Sequence, residues 1–354
     1  SLVRLQILPT YTPESTPSIQ RGSFHGAGVT LLGMQIVNVC LTIVTLGAYH
    51  FWAKAKIRRY LFSQTAFAGD RFAYHGTGKE LYQGFLKAMV VFGIPYFSLG
   101  AAHSFLALPQ SVDFLLQAMA ALVLFLYVPV AIVNARRYRC TRTSWRGIRF
   151  SFRGRTVDFL KLYLKGWLFT LLTLGTYYPY FQTQRQAFLH SHTYFGNQRF
   201  QFTGHGSGLM VPFAVTLFTT YAVLCLCGLA LALQLTNAGL TLLLIPFVLG
   251  PVWVWLLGQK QKYYWDHTTF GEARFSSSIT WQKLFGLYLG NLALLLLTLG
   301  WAWPWVTVRN ARFFIGTLSL QGLTDLDRVL QDTTETSVTG EGLSNLLDTG
   351  FDMD

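Results

Sequence analysis

Thr65-Ala66-Phe67-Ala68-Gly69-Asp70-Arg71-Phe72 follows a long apolar stretch that ends in basic residues, and its pattern, Thr-x-aromatic-x-x-x-Arg-Phe, recurs three more times, at Thr143 to Phe150, Thr193 to Phe200 and Thr268 to Phe275. Reuse of one small unit constrains the architecture that every other motif has to fit. Each copy continues into alternating residues, and the first three then reach glycine at Gly76, Gly154 and Gly204. Alternation with period two argues for a strand, and the interior glycines Gly69, Gly147, Gly196 and Gly271 suit a tight turn before it. Each unit is therefore expected to be a small β-hairpin. The stretch from Arg21 to Gly26 reads as the second strand of such a hairpin without the first. Isolated hairpins are marginal in water, so the units are expected to pair with one another or to lie against helix ends.

The rest of the chain points to lipid. Hydrophobic residues make up 52% of the sequence and charged residues 12%, and the mean hydropathy is +0.36, too apolar for an ordinary soluble domain. A bilayer core asks for about 20 apolar residues per helix. The windows that qualify are Thr30 to Ala53, Phe85 to Leu108, Phe114 to Val133, Phe159 to Phe181, Leu209 to Leu233, Leu240 to Leu257 and Leu284 to Val308. The expected fold class is thus an all-α polytopic membrane protein of about seven transmembrane helices, with small β-hairpin units between helices and internal duplication. Leu2 to Ile19 lacks a basic start followed by an apolar core, so no cleavable signal peptide is expected.

Sliding the region from Leu46 onto the one from Leu174 matches Gly47 with Gly175, Tyr49 with Tyr177, Arg71 with Arg199 and Gly76 with Gly204; Thr298-Leu299-Gly300 provides a third copy of the spanning part. The resulting division is an N-terminal extension (1–20), a first repeat (21–156), a second repeat (157–281), a partial third repeat (282–323) and an acidic tail (324–354). If each long span crosses once, the second half is inverted relative to the first, a recurrent plan among secondary transporters. The alternative folds each long span back at Thr-Leu-Gly-x-Tyr and puts every hairpin unit on one side, but draws Lys54 and Lys56 toward hydrocarbon. Single crossings are favoured.

The net charge of +13 hides a tail in which Asp325, Asp327, Asp332, Glu335, Glu341, Asp348, Asp352 and Asp354 face only Arg328. The cations flank spans instead. Arg58, Arg59, Arg136 and Arg137, with Trp52, Trp303 and Trp305, read as anchors at an anionic headgroup layer, which leaves nucleic acid a poor competitor for them. The tail carries an apolar stripe (Leu343, Leu346, Leu347, Phe351) and is a candidate to dock on the protein's own basic surface or on a protein partner, against a plain solvated tail. Mid-span amides at Asn38 and Asn291 are candidates for binding a polar solute, against a plain role as interhelical glue. Lys161 and Lys165 are candidates for capturing an anion, against snorkelling to the interface. Gly76 to Gly78 and Gly204 to Gly208 precede helices, where backbone N–H groups hold anions, although a strand-to-helix turn is the default. No metal site is assigned: His190, His192, Asp266 and His267 lack partners that spacing can place. No cofactor motif and no hydrolase or nucleotide pattern occurs, so an enzyme is the least supported class.

Phe24-His25-Gly26, Thr45-Leu46-Gly47-Ala48-Tyr49, Trp52-Ala53, Arg58-Arg59-Tyr60 and Tyr74 to Leu81 together resemble the YjgN-like bacterial inner membrane proteins, also called domain of unknown function 898, from about Arg21 to Gln321. Phe51-Trp52 departs from the family's usual Pro-Trp, which Pro304-Trp305 keeps. The resemblance implies a multi-pass protein of the bacterial cytoplasmic membrane and no established activity. The leading expectation is transport or permeation of a small polar or amphipathic solute, and the rival is a non-transporting scaffold that serves an envelope or lipid-handling partner.

Overall fold

Every octapeptide folds as the antiparallel hairpin that its alternation predicts. The structure, a computed structural model, describes residues 19–105, 109–234 and 237–322. The hairpins are β2 (Thr65–Phe67) with β3 (Asp70–Tyr74), β4 (Thr143–Trp145) with β5 (Ile148–Phe152), β6 (Thr193–Phe195) with β7 (Gln198–Phe202), and β8 (Thr268–Phe270) with β9 (Ala273–Ser277). Their two-residue loops require positive φ, which the glycines supply. Ala68 and Gly69 both adopt it, as do Arg146 and Gly147, the pattern of type I′ turns; Gly196 and Gly271 adopt it at the first loop position, as in type II′.

A fifth pair closes the set from opposite ends of the chain: β1 (Gln20–Phe24) runs antiparallel to β10 (Leu318–Gln321), with Arg21 opposite Ser319. The first strand that the N-terminal segment lacks is thus supplied almost 300 residues later. Adjacent pairs also join edge to edge, and the ten strands form one closed antiparallel barrel. Closure removes the free edges that would make single hairpins marginal. The register repeats around it. Arg71, Arg149, Arg199, Arg274 and Arg21 each stand opposite the middle residue of their partner strand and point to solvent, while Phe72, Phe150, Phe200 and Phe275, one step on, point inward.

Helices alternate with the strand pairs. They are α1 (Gly28–Val44), α2 (His50–Gln64), α3 (Gly78–Ala88), α4 (Ile94–Phe105), α5 (Gln110–Thr141), α6 (Thr156–Leu172), α7 (Tyr178–Ser191), α8 (Met210–Ala232), α9 (Ala238–Asp266), α10 (Trp281–Leu297) and α11 (Trp303–Gly316). A π-helical segment, Met89–Gly93, joins α3 to α4. Consecutive helices pack on one another and α11 returns to α1, so a ring of helical hairpins stands on the barrel. The second member of each hairpin leads down onto a strand, as α2 onto β3, α5 onto β5, α7 onto β7, α9 onto β9 and α11 onto β1.

This architecture overturns the all-α fold with about seven spans. Strands from every part of the chain share one barrel, so the hairpin units lie on one side and the halves are not inverted across a bilayer. Among the described residues, four helical stretches are long and apolar enough to cross a membrane: Gly78–Ala101, Gln110–Thr141, Gly206–Ala232 and Gly239–Asp266. The expected first, fourth and seventh spans instead break and turn back at Thr45, Thr173 and Thr298.

The turn chemistry explains the break. The N–H of Leu46 donates to the carbonyl of Ile43 and that of Gly47 to Thr42, and the same two bonds recur at Leu174 and Gly175 and at Leu299 and Gly300. This is the Schellman C-cap, with Leu46, Leu174 and Leu299 left-handed (φ about +50°) and glycine following at φ about +90°. Each turn threonine serves both ends. Thr173 Oγ1 donates to Phe169 O (2.7 Å) and accepts from Tyr177 N–H (3.0 Å), and Thr45 and Thr298 repeat the arrangement. Pro179 and Pro304 sit in the first turn of the returning helices, where a missing N–H costs little.

Candidate functional site: an aromatic chamber in the barrel

The inward faces of the strands enclose a chamber of about 450 Å³. Phe67, Trp145, Phe195, Phe270 and Leu320 come from the first strands of the pairs, and Phe72, Phe150, Phe200 and Phe275 from the second. The second-strand phenylalanines form a ladder, each ring stacked on the next at centroid distances of 6.4 Å (Phe72 to Phe150), 6.4 Å (Phe150 to Phe200) and 6.2 Å (Phe200 to Phe275). Such offset pairs add about 1 kcal/mol each beyond burial. The ladder has one missing rung. Gly22 pairs with Phe67 as Phe72 pairs with Trp145, so it occupies the fifth phenylalanine position. Ile315 fills that space, and a Cβ at Gly22 would meet its carbonyl oxygen at 2.7 Å.

Toward the helices the lining becomes polar. The final turns of α2, α5, α7 and α9 contribute Phe62, then Arg136, Arg139 and Cys140, then His190, then Trp265. Thr143, Thr193 and Thr268 open their strands there, each donating to the carbonyl four residues back at 2.7 Å. Arg136 Nη2 donates to Thr193 Oγ1 (3.3 Å), while its Nε is buried without a partner. Gln186 Nε2 donates to His190 Nε2 (2.8 Å), which leaves Nδ1–H to donate to Thr268 Oγ1 (3.3 Å). That set of partners fits the neutral imidazole. Burial first, and then the Arg136 guanidinium, push the His190 pKa down to about 4. Two guanidiniums and an uncharged histidine line this end, and no carboxylate does.

The residues singled out from sequence lie elsewhere. Asn291 is buried and its Nδ2 donates to Asn310 Oδ1 (2.7 Å) between α10 and α11; Asn38 is buried on α1 with neither amide atom partnered. Lys161 and Lys165 are exposed on α6, and Lys165 lies 5.8 Å above the Phe169 ring. Arg59 and Arg137 donate to the carbonyls of Gly76 (3.4 Å) and Gly154 (2.9 Å), tying each returning helix to a strand-to-helix turn, and Arg58 is half-buried beside Arg59. Of the anchor group only Arg136 faces the chamber. Trp52, Trp303 and Trp305 are exposed; Trp52 covers Gly78 and Trp305 covers Gly28, each so closely that a Cβ would collide. Gly76 to Gly78 forms a strand-to-helix turn in which Thr77 and Glu80 cap α3 reciprocally. His192 and His267 bond their own helix ends, to Phe188 O and Tyr263 O, and Asp266 accepts the Ser277 N–H. Among the described residues no three of His, Cys, Asp and Glu gather as a metal site. The acidic tail lies outside the described residues. The chamber itself was unread in the sequence, although its signal was present: the octapeptide repeats an inward threonine and two inward aromatic residues.

Comparison with known proteins gives partial matches. The chain is 35% identical over 130 residues to the inner membrane protein YjgN of Escherichia coli O157:H7. It is 33% identical over 130 residues to YjgN of E. coli K12 and 32% over 131 residues to that of Salmonella typhimurium LT2. These alignments take in 36% or 37% of this chain and 30% of each relative, so the match spans less than a third of the curated relatives' length. No solved structure matches the chain. The family described as "Bacterial protein of unknown function (DUF898)" matches over residues 19–346, nearly the whole chain, and the chain belongs to that family.

Proposed function

We propose that this is an inner-membrane permeation protein that takes an amphipathic solute into its barrel chamber and passes it between the chamber and the bilayer. The observation that carries the reading is the chamber, with ten apolar side chains around its strands and a polar end where the helices arrive. Pockets that orient a ligand in this way, apolar walls with a few convergent polar groups, are the usual form of a small-molecule site. The names of the YjgN relatives support the inner membrane.

The topology we propose has four crossings, with the barrel in the cytoplasm. From Ala88 to Ala135 and from Phe200 to Gln259, the two long hairpins with their loops, there is no Lys or Arg. The three short hairpins carry no Lys or Arg in their turns, and Arg58, Arg59, Lys161, Arg185, Lys283 and Arg312 lie in the barrel-side halves of their helices, while Lys54 stands about one turn into α2. Positive charge therefore accumulates on one side, the cytoplasmic one by the positive-inside rule. Lys54 and Lys56 lie in the half of α2 nearer the turn, so folding back keeps the cost of lysines set toward hydrocarbon, which snorkelling of their long side chains reduces. The five strand pairs and five helical hairpins are, on this proposal, copies of one unit.

Vesicles reconstituted with the purified protein and loaded with anilinonaphthalene sulfonate, an amphipathic dye, test the reading. Efflux should rise with protein density and fall when the chamber is filled by Leu320→Trp. Absence of protein-dependent efflux, with no dye bound to the protein, would overturn it.

A further inference from the structure

We infer that the ligand of the chamber is a single-chain carboxylate, a medium-chain fatty-acid anion held tail-in, with its head at Arg136. This rests on the chamber reading above and adds the charge, the chain count and the orientation. The charge follows from the lining: Arg136 and Arg139 at one end, His190 neutral between Gln186 and Thr268, and no acid anywhere on the wall. A buried guanidinium atom without an acceptor is a costly group to leave unmatched, and Arg136 Nε is one, beside Thr193. A carboxylate placed there accepts from Nε and leaves the Nη2 bond to Thr193 in place. A cationic head would meet two like charges, and a neutral head would leave Nε without an ionic acceptor.

The shape sets the chain count. The stacked ladder from Phe72 to Phe275 faces Trp145, Phe195 and Phe270 across a narrow lumen of about 450 Å³. At the ~30 Å³ that a liquid water occupies, that space equals roughly fifteen waters, and a methylene takes slightly less, so one chain of about ten to twelve carbons fits with its head. Two chains do not. The strands close laterally, so a longer chain leaves the lumen only through its ends, where added carbons gain no contact with the aromatic rings.

The test uses Cys140, which lines the chamber. In a variant carrying Cys40→Ala, Cys225→Ala and Cys227→Ala, the reaction of Cys140 with a small apolar maleimide is followed in nanodiscs while ligands are added. Decanoate should protect the thiol, with apparent affinity rising about fourfold per added methylene up to a ten- to twelve-carbon chain and then levelling off. Partition into the bilayer alone would keep rising with chain length. Decanol and decyltrimethylammonium should protect at least tenfold less well, and Arg136→Gln should weaken decanoate at least tenfold while leaving decanol unchanged. Should Arg136→Gln fail to fold, the ligand series on the unsubstituted arginine decides alone. Equal protection by decanoate, decanol and the ammonium compound would overturn the anion assignment and spare the amphipathic chamber. Protection by none of them would sink both.

Discussion

The short helical hairpins, such as α6 with α7, and the long ones, such as α8 with α9, occupy equivalent places between strand pairs, yet they differ in length and in how they turn. The helices of the long pairs have the length of a crossing. The short pairs turn at Thr-Leu-Gly, and the leucines at those tips are almost bare: Leu46 is 97% exposed, Leu174 82% and Leu299 90%. A left-handed position in a water-exposed turn is normally glycine or asparagine. Leucine there, flanked by exposed Ile43, Val44, Leu171, Leu172, Leu296 and Leu297, points to a tip set in hydrocarbon. Non-helical backbone survives at that depth only when its polar groups are satisfied internally, and the Schellman bonds and turn threonines do this. Hydropathy is high in both cases, and turn chemistry separates a helix long enough to cross from one that returns.

The most severe way to break the comparison is to charge a tip. Leu174→Arg should cost about 3 kcal/mol if the tip lies in hydrocarbon, seen as a loss of folded protein in thermal unfolding. The same change at Ile19, also exposed but in the barrel layer, should cost little. A companion readout places single cysteines in a background without the native four. Cysteine at Leu46, Leu174 or Leu299 should resist a membrane-impermeant maleimide from both sides. Cysteine at Gln234 should react only from the periplasm and at Gly69 only from the cytoplasm. Tips that label from the periplasm would turn the short hairpins into full crossings.

A second large effect belongs to one short hairpin at the chamber mouth. Three residues before the strand, α7 carries His190, whereas α5 and α9 carry Cys140 and Trp265. The folded His190 titrates at about 4 and the unfolded one near the ordinary 6.5. Between those values the unfolded chain binds a proton that the folded chain refuses, so this contribution is fully favourable above pH 6.5 and declines as pH falls toward 4, by about 3 kcal/mol at the limit. Melting temperature measured against pH should drop over that window, and His190→Gln should flatten the profile. An unchanged profile would mean that His190 is wet.

Much of this molecule was legible, but unevenly. The hairpins followed from local alternation and glycine, and the Thr-Leu-Gly break was visible as an alternative. The choice between crossing and returning was missed because the cost assigned to Lys54 and Lys56 was set above the turn chemistry of Thr-Leu-Gly, which the chain carries three times. Barrel closure was beyond local reading. Nothing near Arg21 announces Ser319 as its partner, and the inward aromatic face acquires meaning only once the strands form a ring. Lys161 and Lys165 stood out as charges near a span, yet the cations that reach the chamber, Arg136 and Arg139, were hidden within a run of anchor arginines.

A smaller perturbation tests the turn itself. Thr173→Val removes the acceptor for the Tyr177 N–H and the donor to Phe169 O in a setting without water to replace them, an expected loss of about 2 kcal/mol. Thr173→Ser, which keeps the hydroxyl, should recover most of it. Equal loss for valine and serine would assign the effect to the methyl group and not to the bonds.

The smallest effect bears on two residues that the sequence treats as equals. Asn38 and Asn291 occupy the same step before their turn threonines, but the residue facing them from the returning helix differs. At one step beyond the turn, α11 offers Asn310, and α2 offers Ile57. Asn291→Leu therefore strands the Asn310 carbonyl and should destabilise by about 0.6 kcal/mol, the mean for such pairs between membrane helices. Asn38→Leu removes a buried amide that bonds to nothing in its pocket and should be neutral or stabilising. Opposite signs in unfolding free energy would make one asparagine interhelical glue and the other a residue of the shared unit without its partner. Equal losses would mean instead that Asn38 holds a partner of its own, and would return it to the list of solute contacts.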